Sequence, residues 1–181
     1  VVAFNLLIIL LVALNSNFYA SSIYSRDGRS SYLIKTQPSR FWPLLVAKLV
    51  PNTVFVLSSL IVTFVILLKT ASLGTSTTVM LMISVISIYL AHLLYCAELD
   101  LMNPQIELYA TVGSSENNVN ETKATISAFL IAFGVAAVLF LLMIEGSLSN
   151  VFVKLLLVSL VAVLYRGVMF FSKIKLYYKE K

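Results

Sequence analysis

The sequence predicts an all-α fold, a polytopic transmembrane helical bundle of about five spans, and three observations lead there. Apolar runs of about 20 residues recur along the chain, the length a helix needs to cross a hydrocarbon core about 30 Å thick. Of the 181 residues, 60% are hydrophobic and only 12% charged, whereas a soluble domain is nearer half apolar and about a quarter charged. Mean hydropathy is +0.96, too high to be explained by a large core alone.

The first apolar run extends from Val1 to about Ala20. It shows neither the basic start nor the small-residue cleavage site of a signal peptide, so the expectation is a single-domain fragment of a longer protein, its N-terminus cut within a helix. Asn15 and Asn17 are expected at the interface with water. Asn5 lies deeper, where an amide more often bonds a neighbouring helix than a substrate. A polar segment over about 21–43 reads as a loop. The second span follows from about Leu44 to Leu68, with a kink expected at Pro51, because proline removes a backbone bond and clashes with the preceding turn. Lys48, one turn earlier, is placed to snorkel to the headgroups.

After the turn Lys69–Ser76, the third span covers about Thr77 to Cys96. Ser84, Ser87 and Ala91 form a stripe of small residues on it, suited to close helix packing. Tyr89, His92 and Tyr95 cluster towards its end, and a lone His beside tyrosines at a membrane boundary reads as an interfacial or hydrogen-bonded residue. A second polar segment, about 97–123, carries Glu98, Asp100, Glu107, Glu116 and Glu121 against Lys123, with Pro104 and Gly113 breaking it. The fourth span, about Ala124 to Ile144, has alanines at 124, 128, 132 and 136, a second small-residue stripe. The fifth runs from about Val151 to Phe171, with Lys154 and Arg166 about 18 Å apart along it, each able to snorkel to its own interface. A basic tail covers 172–181.

Lys and Arg alone set the expected orientation. With the segment 21–43 and the tail cytoplasmic, only Lys69 and Lys154 of the 13 basic residues fall outside. The expected location is a multi-pass protein of the bacterial plasma membrane with its C-terminus cytoplasmic. Single cysteines at Ser30 and Ser147, in a Cys96-free background, should react with impermeant maleimide from opposite sides of the membrane. Labelling of both from one side would overturn this topology.

The residues offer no catalytic set. There is no phosphate-binding G-x-x-x-x-G-K-[ST] loop and no H-E-x-x-H, and one His and one Cys leave neither a disulfide nor a metal cluster. Glu98 and Asp100, two apart, point to different faces of a helix and make no obvious acid/base pair. The spans also lack the buried ionisable residues that mark proton pathways. The expectation is a protein that is not itself an enzyme, binds no cofactor or metal directly and has no nucleic-acid partner. Any energy input would then enter through a soluble face.

The stretch Ser25–Lys48, S-R-D-G-R-S-S-Y-L-I-K-T-Q-P-S-R-F-W-P-L-L-V-A-K, is the candidate for that face. Arg26, Arg29, Lys35, Arg40 and Lys48 stand against Asp27, interleaved with Tyr32, Leu33, Ile34, Phe41 and Trp42. Composition alone fits an interfacial segment on anionic lipid. The order of residues resembles the coupling segment of type-2 ATP-binding cassette exporter permeases. Arg26, Asp27 and Gly28 match its charged turn, with Asp where Glu is more usual. Tyr32, Leu33 and Lys35 match its middle, Pro38 its turn, and Ala47-Lys48-Leu49 the start of the next helix. Gln37 and Phe41-Trp42-Pro43 depart from it. The segment A-E-L-D-L-M-N-P-Q-I-E-L-Y-A-T-V-G, followed by N-V-N-E, is similar to a part of large permeases of this family, Val119 standing where Pro is frequent.

The resemblance, over about residues 15–130, implies a membrane half that pairs with a second permease half or copy. It implies docking of the 25–48 segment on a separate ATPase subunit that holds the ATP and Mg, and outward movement of a hydrophobic or amphipathic substrate. Arg26 to Pro38 would be the contact, so charge reversal at Arg26 and Arg29 would uncouple ATP hydrolysis from transport. A membrane scaffold or assembly protein without transport is the alternative reading.

Overall fold

A leucine-rich run with no proline or glycine between residues 2 and 15 folds as the first helix, α1 (Val2–Asn15). The computed structural model describes residues 2–35, 38–70, 73–111, 118–145 and 148–179, and every regular element among them is helical. After α1 come two 3₁₀ segments, Ser16–Ser22 and Ser25–Ser30, then α2 (Ser31–Lys35), α3 (Pro38–Thr70), α4 (Thr75–Met102), α5 (Ile106–Thr111), α6 (Val119–Glu145) and α7 (Leu148–Lys179). Five helical stretches, 2–33, 43–70, 75–102, 119–144 and 150–174, are long and apolar enough to cross a membrane. The chain is an all-α bundle of multi-pass form.

The stretches differ in how deeply they sit. Over its most apolar window α4 is 56% buried, against 11% for α3, so α4 is the central post and α3 is peripheral. The apolar α4 packs along α7, and α1 packs against α6. Ala124, Ala128, Ala132 and Ala136 are all buried, and where α1 meets α6, Ala128 and Ala132 share a core with Leu6, Leu10 and Leu14. Small side chains permit this close approach, which dispersion forces then stabilise. Ser84, Ser87 and Ala91 are buried on α4. The two hydroxyls each donate to the carbonyl four residues back, Met80 and Ile83, at 2.8 Å, which hides their polarity within the helix.

The polar segments depart from the sequence expectation. The segment 21–43, read as a loop, is helical over its described residues apart from the turn at Ile23 and Tyr24. Serines of the 3₁₀ segment Ser16–Ser22 stabilise the tighter winding by donating to the carbonyl three residues back: Ser16 to Ala13 at 2.7 Å and Ser21 to Phe18 at 2.6 Å. The winding of Ser25–Ser30 is interrupted at Gly28, at φ 55°, ψ −137°.

The third helix of membrane length does not stop near Cys96 but continues to Met102, taking in Glu98 and Asp100. It ends at Asn103, whose backbone leaves the helical region (φ −136°, ψ 67°), as expected for the residue before Pro104. Helix α6 begins five residues ahead of Ala124 because Asn118 caps it: its Oδ1 accepts the Asn120 N–H at 2.9 Å. Val119 is thus the first helical residue, the position where proline is best tolerated. Helix α3 stays helical on both sides of Pro51, although the ring leaves the Ala47 carbonyl without its usual partner. Asn52 beside it reaches across to the Ser16 carbonyl at 3.3 Å.

Candidate functional site

The two polar segments meet at one end of the bundle, and a single carboxylate carries the junction. Asp100, fully buried in the last turn of α4, accepts hydrogen bonds from the backbone N–H of Tyr24 at 2.6 Å and of Ser25 at 2.9 Å. The Ser25 hydroxyl donates to its other oxygen and accepts the Gln105 N–H at 2.7 Å. Tyr24 and Ser31 close the element on itself: the Tyr24 hydroxyl donates to the Ser31 carbonyl at 3.0 Å and the Ser31 hydroxyl to the Tyr24 carbonyl at 2.6 Å. Serine, an aromatic and a carboxylate thereby hold a 3₁₀ turn that its own few backbone bonds could not stabilise.

Gly28 lets this turn lie against α5. A Cβ at Gly28 would sit 3.5 Å from the Cα and N of Ala110, so backbone faces backbone there. Around the contact the basic and acidic side chains pair. Arg26 reaches Glu121 at 3.8 Å, lies over the Tyr19 ring at 4.2 Å and donates to the Ser22 hydroxyl at 2.9 Å. Arg29 and Glu107 approach to 3.6 Å, both largely in solvent. Lys48 pairs with Asp27 and donates to the Ile23 carbonyl at 3.4 Å. Tyr109 donates to Glu121 at 2.8 Å and accepts from the Asn118 amide at 3.0 Å. Burial holds the Tyr109 phenol above its ordinary pKa.

The expected site residues therefore divide. Arg26, Asp27, Gly28, Glu121 and Asp100 make contacts within the subunit that assemble the junction, Gly28 and Asp100 buried, Arg26 and Asp27 exposed. Arg29, Tyr32 and Leu33 are exposed, with Glu107 beside Arg29, and Pro104 is exposed at the turn before α5. Lys35 and Pro38 have described backbone but no described side chain, as do Arg40, Phe41 and Trp42; Gln37, Gly113 and Glu116 lie outside the described residues.

Glu98 and Asp100 are not loop acids: both are buried. Being two apart they do point to different neighbours, Asp100 to the 3₁₀ turn and Glu98 to α7, where it pairs with Lys173 and with Arg166 at 3.7 Å. Sequence reading missed Tyr24, Ser25, Asn118, Arg166 and Lys173 as members. Asn118 alone carried a readable signal, an Asn just ahead of a helical run.

Deeper in α4, His92 is also buried and is hydrogen-bonded, one of the two readings its position suggested. Its Nδ1 lies 3.2 Å from the Asn17 amide nitrogen and its Nε2 2.9 Å from the Ser127 hydroxyl, which donates to the Ala124 carbonyl at 2.9 Å. The directions agree when Asn17 donates to Nδ1 and a neutral ring donates from Nε2. Asn17, itself fully buried, also donates to the Tyr89 carbonyl at 3.2 Å. The chain therefore has buried polar and ionisable residues on α4 that the apolar runs concealed. Among the described residues no three His, Cys, Asp or Glu side chains gather as a metal site.

Compared with known protein families, curated proteins and solved structures, the chain shows no match.

Proposed function

We propose that this chain is the permease subunit of an ATP-driven exporter in the bacterial plasma membrane, its C-terminus cytoplasmic, working with a second permease half or copy. It moves a hydrophobic or amphipathic substrate outward, and residues 25–48 dock on a separate ATP-binding cassette subunit that carries ATP and Mg. The observation that supports this best is the Asp100 junction. A surface element intended to convert a partner's movement into helix tilt has to be stiff and fastened to a span, and the 3₁₀ turn is fastened to α4 through three hydrogen bonds on one buried carboxylate. Its outward side offers Arg29, Tyr32 and Leu33, an arginine–aromatic–aliphatic group of the kind that anchors interfaces.

The inward pairing of Arg26 refines the test. Reversing Arg26 sets it against Glu121 and disturbs the subunit itself, so the partner-facing variant is Arg29→Ala with Tyr32→Ala, which removes the solvent-exposed Arg29–Glu107 contact without opposing two acids. The subunit should co-purify with an ATPase whose turnover changes in its presence. The double variant should insert normally and weaken that association about tenfold or more, as loss of interface anchors does. An ATPase response equal to the parent's would remove the docking role. Absence of any associated ATPase would leave a scaffold without transport as the better reading.

A further inference from the structure

Between α4, α6 and α7 lies a cavity of about 470 Å³, within the range of about 300–1,000 Å³ typical of small-molecule sites. Its wall changes character along the helices. Tyr95, Ser127 and Arg166 line the end nearest the Glu98–Lys173 pair, while Ile88, Val135 and Leu155 line the other. Leu155 and Arg166 are about 17 Å apart along α7, enough to lay an alkyl chain beside the helix. Leu130 and Val158 also line the cavity and are 70% and 67% exposed. The cavity therefore opens sideways, between two apolar helices, onto the face such helices turn to lipid.

We infer that this cavity holds one acyl chain of an anionic amphiphile, with the anionic headgroup at Arg166. The local charges favour an anion. Glu98 is shared by Arg166 and Lys173, so two cations face one carboxylate and one positive charge is left over. His92, the remaining titratable group on the wall besides Tyr95, is engaged by Asn17 and Ser127. Arg166 is held over the Tyr95 ring at 4.7 Å, yet its side chain keeps 34% exposure. A guanidinium so oriented presents a planar fork to a phosphate or carboxylate.

The chain portion gains little by leaving the bilayer for the cavity, because lipid is as apolar as the wall. Selectivity must then come from the headgroup, and a zwitterionic lipid, bringing its own cation, is disfavoured. The site requires no nucleotide and stands whether or not residues 25–48 dock an ATPase.

The test is lipid retention by the purified protein, counted by native mass spectrometry during titration with phosphatidylglycerol or phosphatidylcholine. One phosphatidylglycerol should be held in preference to phosphatidylcholine. Arg166→Gln, which leaves Glu98 paired with Lys173, should lower its retention about tenfold, the loss of one charge-assisted contact. Ala162→Trp, or Ile131→Trp should the first not fold, fills the cavity and should lower retention as much. Val161→Trp, on the neighbouring exposed face, should not.

Oleate competes if any anionic headgroup serves, and fails if a phosphate is required; both outcomes keep the site. Unchanged retention in Arg166→Gln and in the cavity-filling variant would place the lipid elsewhere, on the basic 25–48 surface, and overturn the inference. Displacement by glycerol phosphate, which has the head without the chain, would remove the acyl assignment.

Discussion

Replacing Asp100 by leucine is expected to lower the unfolding free energy by about 2–5 kcal/mol, the largest effect of any single polar substitution at the junction. The side chain has no solvent exposure, and its removal leaves the Tyr24 and Ser25 N–H groups and the Ser25 hydroxyl without their acceptor. Each buried donor left unsatisfied costs about 1–3 kcal/mol. Asp100→Asn keeps one acceptor oxygen for the two N–H groups and should lose much less. Thermal unfolding in detergent would rank the three proteins. Limited trypsin digestion reads the local consequence, because cleavage after Arg26 and Arg29 should accelerate as the 3₁₀ turn detaches from α4. A leucine variant as stable and as resistant as the parent would show that Asp100 does not hold the element.

Gly28 is the second position of large expected effect. With φ 55° and ψ −137°, its backbone lies close to a region that only glycine occupies readily, where a side chain costs about 1–3 kcal/mol. The neighbouring Ala110 atoms, 3.5 Å from a notional Cβ, are at ordinary contact distance, so space is not the obstacle. Gly28→Ala and Gly28→Val should both destabilise the junction, measured by the same unfolding and proteolysis. Ala110→Gly should rescue neither. Rescue by Ala110→Gly would show that crowding, not backbone conformation, explains the glycine.

The fold was legible because its signal is local. An apolar run of span length needs no knowledge of its neighbours, and the alanines at 124, 128, 132 and 136 fall on one face of any helix that contains them. The junction was legible only as two lists of opposite charge. That Arg26 meets Glu121 and Arg29 meets Glu107 depends on a fold that brings together residues 78 or more apart in sequence.

The ends of α4 and α1 were misjudged for a related reason. Glu98, Asp100 and the Asn- and Ser-rich 15–25 stretch look like solvated loop to any composition rule. They stay helical because partners from elsewhere meet their polar atoms. The cavity at Arg166 had no sequence signal, since its polar members, His92 and Tyr95 on α4, Ser127 on α6 and Ser159 and Arg166 on α7, are spread over three separate helices. Arginine near the end of a span reads by default as a snorkelling residue.

The ion pairing at the junction also bears on how the protein is made. Arg26, Arg29 and Lys48 leave the ribosome well before Glu107 and Glu121. During insertion the early segment is thus a bare block of positive charge, the feature to which topology selection responds. Once the later acids arrive, Arg26 and Arg29 are matched within the subunit, as Lys48 is by Asp27 of the early segment itself. The charge of these three side chains, which would orient the nascent chain in the proposed topology, is then internally compensated in the mature bundle. Any recognition by the described part of that surface would then depend less on net charge than its composition suggests and more on the shape offered by the exposed Tyr32 and Leu33.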